Sequence, residues 1–111
     1  MAPRQMTFEV RHNQLVRHIR LGDGREYTHA CTLAVYMQVA WHVYERAAAG
    51  VSTGELWKAL PALPYTQINV ALAILAERGC LARTGKRSYP LSPTVYEDAV
   101  EHFYRLAEAA D

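Results

Sequence analysis

The sequence predicts an α+β fold that is mainly helical: an N-terminal β-hairpin, a long helix, two shorter helices joined by a tight turn, a small basic hairpin and a C-terminal helix. Three observations carry that prediction. The stretch "GDG" at 22–24 closes a run of β-prone residues. Serine, proline and glycine punctuate the middle of the chain at the offsets expected of helix starts and stops. The passage "LARTGKRSYPL", Leu81 to Leu91, sets a glycine and basic residues between two short apolar runs, the pattern of a tight hairpin.

Composition narrows the class. The chain has 111 residues, 50% of them hydrophobic and 21% charged, which suits a single compact domain with a modest core. Twelve Lys and Arg face eleven Asp and Glu, a net charge of +1, so any electrostatic argument must be local. The longest apolar run, "VALAILA" (Val70 to Ala76), is short for a membrane span, and the first ten residues lack the apolar centre of a signal peptide. The expectation is a cytoplasmic protein with no membrane partner. Cys31 and Cys80 show neither CxxC nor zinc-ligand spacing and read as reduced, buried thiols.

In chain order, two β-prone runs, Phe8 to Arg11 and Leu15 to Leu21, flank "HNQ" and predict a hairpin with a short third strand or extended lead-out. Arg17 interrupts its alternation by sharing a face with Leu15, Ile19 and Leu21. The segment is basic, through Arg11, His12, Arg17, His18 and Arg20, but Glu9, Asp23 and Glu26 are interleaved, which fits a solvated face. Residues 1–27 are therefore read as an extension and residues 28–111 as the main folding unit. A helix is expected over Thr28 to Gly50, with Gly50 as its stop. Leu33, Tyr36, Val39, Ala40, Val43 and Ala47 form one apolar stripe; Met37, Trp41, Tyr44 and Ala48 form a second. One small core does not need both, so the second stripe is expected to meet either another copy of the chain or the N-terminal hairpin.

Ser52 and Glu55 have the spacing of a capping box, in which each side chain satisfies a free backbone N–H of the first turn. The short helix that follows is expected to turn Leu56, Trp57 and Leu60 inward and to stop at Pro61. In "YTQINVALAILAERG", Ile68, Ala71, Leu72 and Leu75 recur at helical spacing and Gly79 is the stop. Two helices joined by a few residues make a helix-turn-helix. The outer face of the second carries Thr66, Val70, Ala73 and Glu77, with Asn69 and Ile74 at its edges, and no Lys or Arg lies between Lys58 and Arg78. Charge is segregated further on: Arg78 to Pro90 holds four basic residues and no acid, whereas Thr94 to Asp111 holds five acids against Arg105. The last helix is expected to open with a Thr94–Glu97 capping box and to bury Val95, Ala99, Phe103, Leu106 and Ala110.

The passages "LAERGCLART" and "KRSYPLSPTVYEDAVEHF" resemble the winged helix-turn-helix regulators of the MarR and PadR kind, over Ser52 to Asp111. The resemblance implies a supporting helix at Ser52 to Leu60, a recognition helix at Tyr65 to Arg78 and a wing at 83–88. It also implies a homodimer clasped by the first and last helices, with Met37, Trp41, Tyr44, Phe103 and Leu106 expected at the dimer interface. The N-terminal hairpin falls outside the pattern.

The implied function is that of a DNA-binding transcriptional regulator, one recognition helix per half-site in the major groove of double-stranded DNA. Arg83, Lys86 and Arg87, helped by Lys58 and the N-terminal arginines, are expected to neutralise phosphates. Thr66, Gln67 and Asn69, with Val70 and Ala73 beside them, are expected to face the bases. The competing reading is a protein–protein interaction module without DNA binding, docking through the apolar outer face of helix 65–78. Tyr36, Trp41, Tyr44, Trp57 and Tyr65 offer a pocket for a small-molecule effector. Catalysis is not indicated: there is no P-loop, GxSxG or Gly-rich dinucleotide motif, and His12, His18, His29, His42 and His102 lack metal-ligand spacing. Neither an enzyme activity nor a cofactor or metal is expected.

Overall fold

A computed structural model describes residues 5–109. Its first element is a hairpin set by two residues: His12 and Asn13 both take positive φ, +51° and +62°, the geometry of a two-residue turn whose twist matches antiparallel strands. The turn joins β1 (Gln5–Arg11) to β2 (Gln14–Arg20), and β3 (Glu26–Thr32) returns antiparallel on the other side of β2. The third strand is as long as the other two, pairing from Arg20 with Glu26 to Gln14 with Thr32.

That strand corrects the helix start expected at Thr28. Tyr27, Thr28 and Thr32 are extended, as aromatic and β-branched residues beside a partner strand favour. Helix α1 (Leu33–Glu45) begins only after Thr32, whose hydroxyl accepts from the Val35 N–H at 3.2 Å. It also ends short of Gly50. That glycine, at φ +71°, sits under the second hairpin, where a Cβ would lie 2.7 Å from the Tyr89 ring and 2.9 Å from the Ser88 carbonyl.

Helices α2 (Thr53–Ala59) and α3 (Tyr65–Glu77) follow, joined by a short turn through Pro61 and Pro64. The Ser52 hydroxyl accepts from Glu55 N–H at 3.2 Å, as the capping box requires. Strands β4 (Leu81–Thr84) and β5 (Arg87–Pro90) form the second sheet, with Gly85 at φ +62° in the turn. Val51 adds a bridge to this hairpin: its N–H donates to the Ser88 carbonyl at 2.9 Å and its carbonyl accepts from Ser88 N–H at 2.8 Å. Helix α4 (Val95–Ala109) completes a mixed fold of four helices and two antiparallel sheets. At its start the Thr94 hydroxyl donates to the Asp98 carboxylate at 3.2 Å and Thr94 N–H donates to the Ser92 hydroxyl at 3.0 Å, in place of the expected Thr94–Glu97 box. Ala110 and Asp111 lie outside the described residues.

The core forms where the four helices meet. Tyr36 faces Phe103 across 6.3 Å and Trp41 faces Tyr96 across 5.3 Å between ring centroids, so α1 and α4 run antiparallel. Phe103 is 2% exposed, buried within the chain's own core, which removes it from the expected dimer interface. Leu15 and Cys31 belong to the same buried cluster, so the first sheet is part of the core and not an extension laid beside it.

Arg17 explains the broken alternation of β2. Leu15, Arg17 and Ile19 all point inward, and Arg17 Nε donates to Glu77 of α3 at 2.6 Å while its Nη2 holds the other carboxylate oxygen. The adjacent Arg78 lies 5.3 Å from the Phe8 ring centroid, a cation–π contact that ties α3 to β1. Among the described residues, no helix is long and apolar enough to cross a membrane.

Candidate nucleic-acid interface

Charge along the chain locates the site. Between Glu55 and Glu97 the single acid is Glu77, and the first sheet covers it through Arg17. The same span holds five basic residues: Lys58, Arg78, Arg83, Lys86 and Arg87. Structure divides them into two groups. Arg78 bonds His102 Nδ1 at 3.1 Å and covers Phe8, so it joins elements together.

Arg87, expected on the phosphate backbone, is also drawn inward. Its Nη1 donates to Glu55 at 2.7 Å, Nη2 to the Gly50 carbonyl at 3.0 Å and Nε to the Ala49 carbonyl at 3.0 Å. A guanidinium that makes four hydrogen bonds to one carboxylate and two carbonyls is committed to the protein itself, which corrects the expectation of a phosphate contact. The Arg87 guanidinium, with the Ser52 N–H adding to it, holds the Glu55 carboxyl below the usual carboxylate range. Glu55 thus caps α2 and anchors the hairpin at once. Lys58, Arg83 and Lys86 remain exposed, with no ion pair among the described residues.

Helix α3 has three sides. Ile68, Ala71, Leu72 and Leu75 are buried against the other helices. Gln67, Val70, Ile74 and Glu77 turn toward the first sheet: Gln67 Oε1 accepts from Thr32 N–H at 3.1 Å, Val70 is half-buried and Ile74 is fully buried. Gln67 is therefore taken out of base reading and Val70 mostly withdrawn. Of the outer face expected for partner docking, Ile74 and Glu77 are covered by the chain's own elements and Val70 partly so. What stays open is a narrow third side with Thr66 and Asn69 exposed and Ala73 half-buried. At its start Trp57 and Tyr65 meet edge to face, 5.6 Å between centroids, each about half exposed. Leu56, Trp57 and Leu60 are expected inward; on so short a helix only Leu56 is buried, Leu60 is half-buried and Trp57 stays out.

A second surface lies on the opposite stripe of α1, which the first sheet does not cover. Trp41 and Tyr44 are 43% and 42% exposed, and Trp41 contacts both Tyr44 and Tyr96 at 5.3 Å. Half-buried Met37 lines a groove of about 270 Å³ with Trp41 and Tyr96, and Tyr44, Leu91 and Pro93 line a second of about 500 Å³. Leu106 packs against the core from a half-buried position. Sequence reasoning missed Tyr96 and Leu91; the signal for Tyr96 was its repeat with Val100 beside the core stripe of α4. The five aromatics expected around an effector are not brought together, since Tyr36 is fully buried and Trp57 and Tyr65 sit at the α2–α3 turn.

Cys31 and Cys80 are free and buried, and burial pushes the Cys31 thiol up to about 12, which leaves almost no thiolate at neutral pH. Among the described residues no group of three or more His, Cys, Asp or Glu side chains is placed to hold a metal ion. Comparison with protein-family models, with curated proteins and with solved structures finds no match to this chain.

Proposed function

We propose that the chain is a winged helix-turn-helix regulator, a binding protein and not an enzyme, that grips double-stranded DNA as a homodimer. The observation that carries this reading is the partition of α3: the protein's own sheet takes the apolar side, and the open side offers Thr66, Asn69 and Ala73 on a span whose one acid is neutralised. A docking face for a protein would be expected to leave Val70 and Ile74 in the open. The order α1, Val51 bridge, α2, α3, β4–β5 hairpin, α4 supports the winged-helix assignment.

In this mechanism α3 enters the major groove along its open side, and Lys58, Arg83 and Lys86 neutralise phosphates. Arg87 fixes the hairpin that carries Arg83 and Lys86. Met37, Trp41, Tyr44 and Leu106, joined by Tyr96 and Leu91, make the dimer contact that sets two α3 helices on two half-sites. Three phosphates per protomer give about six per dimer, hence a log–log salt slope of roughly −5. Fluorescence anisotropy on random-sequence duplex across a salt series tests this. Arg83→Ala with Lys86→Ala is expected to flatten the slope by roughly 3–4, for about four lost contacts per dimer. No binding to duplex even at low salt would sink the proposal.

A further inference from the structure

The open side of α3 lacks the side chains that single out guanine and cytosine. Guanine is read in the major groove by Arg or Lys, whose donors match its O6 and N7, and cytosine by Asp or Glu, which accepts from its N4 amino group. From Ala59 to Glu77 there is no Lys or Arg, and the one carboxylate, Glu77, is held by Arg17. Adenine and thymine are served. The exposed Asn69 amide carries an N–H donor beside a carbonyl acceptor, the pair that adenine N7 and N6 require. The Thr66 methyl and the Ala73 Cβ flank it at helical spacing, and methyl groups pack on the thymine methyl. Gln67, the other side chain suited to adenine, is bonded to Thr32 and turned away.

The exposed pair Trp57 and Tyr65 extends this strip at its N-terminal end. Between Glu55 and Glu77 the chain carries Lys58 and no acid, so the surroundings of these two rings suit a polyanion. An apolar patch continuous with a base-reading strip and edged by a lysine fits the thymine methyls and sugar faces of a duplex.

Resting on the DNA-binding reading, we infer that this protein prefers A·T base pairs and recognises them by their major-groove edge, adenine through Asn69 and thymine through Thr66, Ala73 and the Trp57–Tyr65 pair. The test uses the full chain and four labelled duplexes of equal length at one salt concentration. One alternates dA and dT, one dG and dC, one dA and dU, and one dI and dC. The dA·dT duplex is expected to bind about tenfold tighter than dG·dC, the discrimination typical of one good bidentate pair. The dA·dU duplex, which differs only by the missing methyl, is expected to bind several-fold more weakly than dA·dT. The dI·dC duplex shows the major-groove edge of G·C and the minor-groove edge of A·T, and is expected to bind like dG·dC.

Asn69→Ala is expected to narrow the gap between dA·dT and dG·dC from about tenfold to near equality at an unchanged salt slope, because Asn69 contacts bases and no phosphate. Equal affinity for dA·dT and dG·dC, with a steep salt slope, would overturn the inference and leave DNA binding intact. So would dI·dC behaving as dA·dT, which would place the readout in the minor groove. Failure to bind any of the four at low salt would overturn both.

Discussion

Arg83 and Arg87 stand on the same hairpin, yet their surroundings give them opposite roles. Arg83 is exposed, whereas Arg87 has a carboxylate and two carbonyls around its guanidinium. Arg87→Ala is therefore expected to lower the melting temperature and weaken duplex binding without changing the salt slope, because no phosphate contact is lost; a thermal melt and a salt series together check this. The Glu55 end of the clamp makes a pH prediction. Its folded-state pKa lies below the unfolded one, so its stabilisation is present above the ordinary carboxylate range and is lost as pH falls through the folded value. The melting-temperature difference between wild type and Glu55→Gln is expected to be full at neutral pH and to shrink below about pH 4, within the limits that solvent screening sets. The sequence marks both arginines as basic and tells them apart in no way, since Glu55 and Ala49 lie 32 and 38 residues from Arg87.

At the scale of elements, helix α3 and the first sheet define one another. The Arg17–Glu77 pair is mostly removed from water, and cutting a side chain from such a pair strands the other charge. Arg17→Ala is expected to cost about 3 kcal/mol in denaturant unfolding, and the double change Arg17→Met, Glu77→Leu to recover most of it. Equal loss in the single and double variants would mean that the hydrogen-bonded charge pair itself supports the sheet, because methionine keeps an apolar stem at position 17. Helices α2 and α3 and the β4–β5 hairpin were legible because their signals are local: the Ser52–Glu55 box, Pro61 and the turn glycine Gly85. The β3–α1 junction was not. Thr28 to Thr32 can continue a helical stripe or pair as a strand, and the choice falls to β2, which sets a residue opposite each of them and hydrogen-bonds alternate ones.

At the scale of the whole molecule, an apolar belt centred on Trp41, Tyr44 and Tyr96 is left uncovered among the described residues. Each half-exposed aromatic keeps roughly 100 Å² open, so Trp41, Tyr44 and their neighbours supply a good part of the ~800 Å² per partner of a standard interface. Sedimentation analysis is expected to find a wild-type dimer and a monomeric Trp41→Ala, Tyr44→Ala variant; a monomeric wild type would count against the belt as a homodimer contact. The second stripe of α1 was visible in the sequence, but whether the hairpin or another chain met it was not, and the sheet packs instead on α3, α4 and the buried stripe of α1.

The sequence by itself determined the helices after residue 50, the second hairpin and the segregation of charge, because caps, turns and periodicity act within a few residues. Tertiary structure alone decided which side of α3 stays open and which basic residues stay free. Those outcomes depend on Arg17 reaching Glu77 and Arg87 reaching Glu55, contacts spanning 60 and 32 residues that form only when the chain has closed on itself.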